Sequence, residues 1–366
     1  MVAPLAHDDP PRATFLARDP VDLSTNALAG GPHLAVVEAI ASTAHRAHAY
    51  PAPSTQGLRD AIAARHQLDA SQVVPAPGSV TALQRLIAHS CSSAPSEVMF
   101  SWPNFAALSD LATAAGAHQQ RIPPSAGGGA DLAAMLAAIS PRTRVVIVCN
   151  PDNPTGTLTG RAALRRFLEA VADHVLVVLD EAYAEFAEGP DAGSGLALAQ
   201  RRWAAGHHNV AVTRTLSKAF GLGGLRIGYA LAAPSLAAAI RTRALPFEIT
   251  SLTHEAALAA LGVVDEVTAR CRDIATERRR VENTLRHSGF TVPESHGNFV
   301  WLPLGDRAVG FGQHVLGYGI RVLPYPGDGV RITVGTPEDN SRFLTAADAW
   351  LAATRPVALA SGGDAA

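Results

Sequence analysis

Only three cysteines occur in the 366 residues, Cys91, Cys149 and Cys271. An odd number at irregular spacing argues against a disulfide framework or a zinc site and fits a reducing compartment. An excess of either charge is missing too. The 30 basic and 32 acidic residues leave a formal net charge of -2 with no basic arm. There is no electrostatic case for nucleic acid or an anionic membrane, and small metabolites are the expected partners. No uninterrupted apolar run is long enough to cross a bilayer, and the opening residues lack the apolar core of a signal peptide. The chain reads as cytoplasmic.

What is there describes a well-buried globular protein, with 48% hydrophobic and 17% charged residues. Its length predicts one large domain with a smaller partner. Residues 1–18 read as a loose arm, 19–45 as the start of the small domain and a linker, 46–250 as the large domain, 251–355 as the rest of the small domain, and 356–366 as a disordered tail. Apolar runs at Val98–Phe100, Arg144–Cys149, Val175–Leu179 and Asn209–Thr213 alternate with amphipathic helices. That pattern predicts an α/β fold with a mainly parallel sheet between helices, where ligands collect beyond the strand ends. A long helix over 264–287 is expected to bury Val267, Cys271, Ile274, Val281 and Leu285 and to turn Arg278, Arg279 and Arg280 to solvent. Asn298–Leu302, Ile320–Leu323 and Val330–Val334 read as strands of a second, smaller sheet.

The chemistry concentrates in Thr213–Ala230, around Lys218. A lysine attacks an aldehyde through its uncharged amine, and a nearby cation such as Arg226 or a desolvating wall makes that amine available near neutral pH. Thr215 and Ser217 add hydroxyls, and Gly221, Gly223 and Gly224 let backbone close around a bulky group. Amine, hydroxyls and guanidinium together suit a phosphorylated aldehyde, pyridoxal 5'-phosphate (PLP). Gly78, Ser79 and Val80 open a helix whose N-terminus could seat a phosphate, although in isolation an ordinary serine cap is the favoured explanation. Asp180 follows one apolar run, where a carboxylate would keep a pyridine nitrogen protonated. Asn153 and Tyr183 are donors for a phenolic oxygen, and Phe105 is a flat group for the ring face.

Taken together, Tyr50-Pro51, Pro77–Val80, Asn150–Gly156, Asp180–Tyr183, Arg214–Tyr229, Asn298–Leu304 and Asp328–Asn340 resemble the fold-type I PLP enzymes of the class I/II aminotransferase family. The likeness is greatest to the histidinol-phosphate aminotransferase group, with its actinobacterial aromatic (phenylalanine) branch. The resemblance runs from about Asp22 to Trp350. It implies an aspartate-aminotransferase-like fold with a seven-stranded large-domain sheet, and Lys218 as the Schiff-base lysine. Ser79, Thr215, Ser217 and Arg226 would surround the cofactor phosphate, with Asp180, Asn153 and Tyr183 on the ring and Phe105, rather than Trp102, stacked on it. Arg331 would clamp the substrate α-carboxylate, with Asn153 nearby. Tyr50 would reach the phosphate of a partner subunit, which implies a homodimer. The implied reaction moves an amino group between an amino acid and a 2-oxo acid. Decarboxylation uses nearly the same residues, and a relative that binds PLP without turnover is a further alternative.

Two departures concern the substrate. Gly30 stands where the family carries a tyrosine that encloses the substrate. Leu323 stands where histidinol-phosphate aminotransferases carry an arginine for the substrate phosphate, with Arg321 expected on the same strand face but displaced along it. A leucine facing a dianion leaves it desolvated and unpaired, so poor use of histidinol phosphate is expected.

Overall fold

The computed structural model describes residues 20–52, 54–93 and 95–354, so the arm and tail expected at 1–18 and 356–366 lie outside the described residues. In chain order the first part comprises β1 (Val21–Asp22), α1 (Leu34–Thr43), α2 (Gln56–His66), β2 (Val73–Ala76), α3 (Ser79–Ser90), β3 (Glu97–Ser101), α4 (Ala107–Ala114) and β4 (His118–Ile122). There follow α5 (Leu132–Ala138), β5 (Thr143–Cys149), α6 (Arg161–Ala170), β6 (Leu176–Asp180), α7 (Ser194–Ala204), β7 (Val210–Thr215), β8 (Gly228–Ala232), α8 (Pro234–Arg241) and α9 (Ser251–Gly262). The chain ends with α10 (Val264–Ser288), β9 (Phe299–Leu302), α11 (Ala308–Gly317), β10 (Ile320–Arg321), β11 (Leu323–Tyr325), β12 (Gly329–Thr333) and α12 (Pro337–Thr354).

Seven strands form the main sheet in the order β2-β8-β7-β6-β5-β3-β4. β8 runs antiparallel to both its neighbours and the remaining pairs are parallel. Alternate residues of one strand feed opposite cores. Val146 and Val148 of β5 and Val177 and Leu179 of β6 enter one core, while Val145, Ile147, Val178 and Leu176 enter the other. Two buried faces explain why these strands read as continuous apolar runs instead of alternating ones. The register then sets the site. Cys149 lies beside Asp180 and Asp180 beside Thr213, so the loops after β5, β6 and β7 leave the same edge.

A third core gathers the antiparallel sheet β11-β12-β9, the parallel pair β1–β10, and α11 and α12. α10 joins the cores, burying Val267 and Cys271 in the large one and Val281 and Leu285 in the small one. Acidic Asp265 and Glu266 in its first turn, Arg286 and His287 in its last, and Gly289 at φ 109 after it match its dipole and its left-handed stop. α9 and α1 pack on each other and contribute Ala256, Ala257 and Val36 to the large core, so the passage between cores falls within α10.

Two local expectations are corrected. Arg278 does not face solvent with Arg279 and Arg280. It is buried, donating from Nη1 to the carbonyls of Gly297 (2.8 Å) and Phe186 (3.3 Å) and from Nη2 to Glu188 (3.1 Å). Seven residues after Cys271, it lies on the helix face that packs inward. The strand expected over Ile320–Leu323 is two strands. β10 pairs with β1 and β11 with β12, with buried Val322 between them. Arg321 is therefore exposed, 3.9 Å from Asp22, and does not share a strand face with Leu323. Among the described residues no helix is long and apolar enough to cross a membrane.

Candidate active site

Beyond the ends of β5, β6 and β7 lies a cavity of about 190 Å³. One wall is the turn from β7 to β8. Arg226 takes a left-handed φ of 54, which swings its side chain back under the N-terminus of α3, and its Nη1 donates to the Gly223 carbonyl at 2.8 Å. Glycine is needed at 78, where φ is 83 and a Cβ would lie 2.5 Å from Nη2 of Arg226. α3 has no side-chain cap, so the N–H groups of its first turn stay open beside that guanidinium. Ser79, Val80, Thr215 and Ser217 line the same corner. An uncapped helix N-terminus, a guanidinium and hydroxyls make an anion seat.

Lys218 projects from the same turn. Its Nζ donates to the Thr25 carbonyl at 3.1 Å and lies 6.0 Å from the centroid of the Tyr183 ring. Burial, aided by the guanidinium groups of Arg331 and Arg226, holds its amine down to about 8. It is also the only lysine in the chain, a signal present in the composition that reasoning from motifs passed over.

Asp180 ends β6 on the cavity wall. Burial pushes its carboxyl up to about 6 despite a 2.9 Å hydrogen bond from Thr213 Oγ1, and the neighbouring charge of Glu181 adds to the rise. Glu181 itself turns away to Arg214, which donates to it from Nη2 at 2.7 Å. Across the cavity Asn153 accepts from Nη1 of Arg331 at 2.7 Å and donates to the Tyr183 hydroxyl at 3.5 Å. Arg331 is buried, with Nη2 on the Ser24 carbonyl at 2.6 Å and Nε without a partner. Burial pushes the Tyr183 hydroxyl up to about 12. Phe105 lines the cavity, whereas Trp102 lies under Arg121, whose Cζ is 4.1 Å from the ring centroid.

Tyr50, Gly30 and Leu323 lie outside this lining. Tyr50 is 85% exposed and packs on Phe247, with ring centroids 5.3 Å apart. Gly30 has φ 79 with open space where a side chain would stand. Leu323 pairs directly with Arg331 in the β11–β12 ladder. Asn26 was missed as a site residue. Its Nδ2 donates to the Tyr183 hydroxyl at 2.9 Å and its Oδ1 accepts from Thr333 at 3.0 Å, tying the N-terminal segment to both domains.

The sequence pattern of aminotransferase class I and II matches residues 18–346. The chain belongs to that family. It is 42% identical over 322 residues to an aromatic amino acid aminotransferase of Streptomyces avermitilis, covering 88% of each chain. A protein of the same name from Nocardia farcinica is 41% identical over 326 residues, covering 88% of this chain and 90% of its own. Among solved structures, a histidinol-phosphate aminotransferase from Sinorhizobium meliloti in complex with PLP superposes with TM-score 0.81 at 25% identity, covering 92% of each chain. A putative histidinol-phosphate aminotransferase from Erwinia carotovora atroseptica, at TM-score 0.83 and 23% identity over 91% of this chain and 96% of its own, shares the fold.

The enzyme is a PLP-dependent aminotransferase of fold-type I. Its own residues fit the cofactor. They offer an open helix N-terminus beside Arg226, a primary amine kept largely uncharged at mildly alkaline pH, and a buried carboxyl, Asp180, with no ion-pair partner among the described residues. These are complements to a phosphate, an aldehyde and a pyridine nitrogen.

Proposed function

We propose that this aminotransferase takes aromatic amino acids as donors and hands the amino group to a 2-oxo acid. The observation that carries the reading is the setting of Arg331. One buried guanidinium, with Nε still free, is flanked across the sheet by Leu323 on one side and Trp301 on the other. Trp301 meets Tyr325 edge to face at 5.5 Å. A single carboxylate fork whose cross-strand neighbours carry no second charge favours a donor with one carboxylate and an uncharged side chain. A phosphate dianion would find no second cation at Leu323 and would pay for its desolvation, so histidinol phosphate is a poor donor. The names of the relatives from Streptomyces avermitilis and Nocardia farcinica support the same class of donor.

The chain's residues divide the work. Bound PLP supplies an aldehyde that condenses with amines and a ring that accepts the electron pair of the donor's Cα–H bond. Gly78, Ser79, Val80, Thr215, Ser217 and Arg226 would hold the phosphate. Asp180 would offer a carboxylate to the ring nitrogen, Asn153 and Tyr183 would donate to the phenolic oxygen, and Phe105 would pack on the ring. Lys218 would offer its amine to the aldehyde, and its Nζ, with a pKa of about 8, suits a base for the Cα proton near neutrality. Arg331 fixes the carboxylate, which leaves the Cα–H bond, instead of the bond to the carboxylate, in the reactive orientation.

The working unit is a homodimer in which Tyr50 of each chain reaches its partner's phosphate seat. The supporting features are exposed apolar side chains on and beside the packed pair α1 and α9, namely Leu34, Val37, Leu245 and the mutually packed Tyr50 and Phe247. Phe247→Glu should shift the enzyme from dimer to monomer in light scattering and lower its PLP affinity. An unchanged dimer sinks this interface.

For the reaction, the test is a panel of amino donors with the purified holoenzyme, products identified by mass spectrometry. Phenylalanine and tyrosine should give their 2-oxo acids with kcat/KM well above that for histidinol phosphate. Efficient turnover of histidinol phosphate, or release of carbon dioxide, refutes the reading. Borohydride reduction should leave one pyridoxyl group, on Lys218, and Lys218→Ala should lose both that label and turnover, since no other lysine can substitute.

A further inference from the structure

Two loops shape the cavity from neighbouring strands, one carrying Phe105 after β3 and one carrying Asn153 after β5. They are joined by a buried contact between Asn104 and Asp152, 1% and 3% exposed. Nδ2 of Asn104 donates to Oδ1 of Asp152 at 3.4 Å. The amide of Asn104 is not free to turn round, because its Oδ1 accepts the Phe105 N–H at 2.7 Å and the Cys149 thiol at 3.2 Å. The second oxygen of Asp152 is also engaged, accepting Oγ1 of Thr155 at 2.7 Å and its N–H at 3.3 Å.

Both oxygens of residue 152 must therefore accept. A carboxyl group does so whether or not it carries a proton. A proton on Oδ2 is donated to Oγ1 of Thr155, which turns its own proton to Oγ1 of Thr157 at 2.9 Å, and Oδ1 remains an acceptor for Asn104. Burial pushes Asp152 up to about 7, so both forms occur near neutrality and both keep the link. An asparagine at 152 fails in either orientation. Its NH₂ would face either the NH₂ of Asn104 or the N–H of Thr155, and a buried donor facing a donor is costly.

We propose that Asn104 and Asp152 are a positioning pair that holds the two walls of the cofactor pocket in one register. Asp152 orients the Asn104 amide, which fixes the backbone at Phe105, while the same carboxyl group fixes the turn that carries Asn153. Because Asn153 also accepts from Arg331, the pair links the ring-stacking wall to the substrate fork. Neither residue touches the cofactor. The inference rests on the roles proposed above for Phe105 and Asn153.

A paired exchange tests it. Asp152→Asn alone sets its NH₂ against either the NH₂ of Asn104 or the N–H of Thr155, and Asn104→Asp alone sets two carboxyl groups face to face. The double variant restores one donor and one acceptor, with the carboxylate now at position 104 accepting from the amide now at position 152 and from the Phe105 N–H. The readouts are PLP affinity, from titration of each apoprotein, and the circular dichroism of the bound cofactor. Each single exchange should weaken binding by about tenfold or more. The double variant should return to within about threefold of the parent and regain its dichroic band. Single variants that bind like the parent, or a double variant whose loss is the sum of the two, overturn the pair. Where a single variant fails to fold, the double variant decides alone: parental folding and affinity support the pair, and failure in either sinks it. Phe105→Ala separates this inference from the reading beneath it. Unchanged PLP affinity there removes Phe105 as the stacked ring whatever the exchange shows, whereas lost affinity there with an uncoupled exchange removes only the pair.

Discussion

Arg331→Lys keeps the charge and removes the fork, which makes it the sharpest probe of substrate binding. Two of the guanidinium's donors are committed to the protein, to Asn153 at 2.7 Å and the Ser24 carbonyl at 2.6 Å, and the remaining N–H groups, including the unpartnered Nε, are available to a carboxylate. A lysine ammonium has three donors on one atom and cannot span those two acceptors and still present a planar pair. Losing one hydrogen bond to a charged group costs about 1.5–3 kcal/mol, which converts to a fall in kcat/KM of roughly ten- to a hundredfold for phenylalanine. The comparison substrate is phenethylamine, the same side chain without the carboxylate. If Arg331 acts on the carboxylate, the variant and the parent handle phenethylamine alike while phenylalanine suffers the full loss. Equal losses on both substrates, or no loss on phenylalanine, refute the assignment.

Leu323→Arg should raise kcat/KM on histidinol phosphate by about tenfold or more and lower it on phenylalanine, since cross-strand partners lie roughly 5 Å apart at Cβ and the new cation would meet an incoming phosphate; no gain on histidinol phosphate removes Leu323 from the specificity argument. Asp180→Asn should inactivate the holoenzyme yet stabilise the apoprotein. A carboxyl raised from 3.8 to about 6 by burial binds its proton more tightly folded than unfolded, so stability falls as pH rises between those values. Above pH 6 the cost is on the order of 3 kcal/mol, of which about 1 kcal/mol is offset by the amide's loss of an acceptor. Apoprotein melts should therefore favour the variant at pH 8 and lose that advantage below pH 4, and a variant less stable at pH 8 contradicts the desolvation account. For Lys218, the rate at which apoprotein condenses with PLP should climb through pH 8 as the amine loses its proton, and a midpoint near 10.5 would mean that burial does not depress it.

Residues that ended a strand were legible in the sequence. Asp180 and Asn150 follow unbroken apolar runs and precede turn-forming residues, and a doubly buried parallel strand has no other way to end than at a loop beside its neighbours' loops. The short strand breaking into a helix at Gly78 was readable too, whereas the serine cap that the sequence favours there is absent, Gly78 being the cap residue. Residues whose role depends on a distant partner were not legible. Asn26 carries no local signal of its partner, yet it bonds to Thr333, 307 positions away. Arg278 reads as one of three surface arginines until the carbonyls of Phe186 and Gly297 appear beside it. The break at Val322 leaves no signal in a run of strand-forming residues, because it arises from two sheets each claiming part of the run. Asn104 and Asp152 lie 48 positions apart, and neither stretch carries a signal of contact with the other.

The pocket is held in a condition that a protein selected for stability alone would avoid. Asp180 is a buried carboxyl without a cation, Arg331 is a buried guanidinium with a free donor, and Lys218 is an amine pressed between desolvation and two guanidinium groups. Within the protein these charges do not neutralise one another. The anion seat at α3 stands apart from Asp180, and Arg331 bonds to neutral partners, Asn153 and the Ser24 carbonyl, in place of a carboxylate. Each is complementary to one part of a cofactor or donor: phosphate, aldehyde, ring nitrogen, carboxylate. PLP would supply the first three at once and relieve several unfavourable burials together, so its binding should stabilise the fold by more than its contacts with any one side chain suggest. The same uncompensated charges that weaken the empty pocket give it its selectivity, because a ligand lacking any one of them leaves a buried charge unpaired.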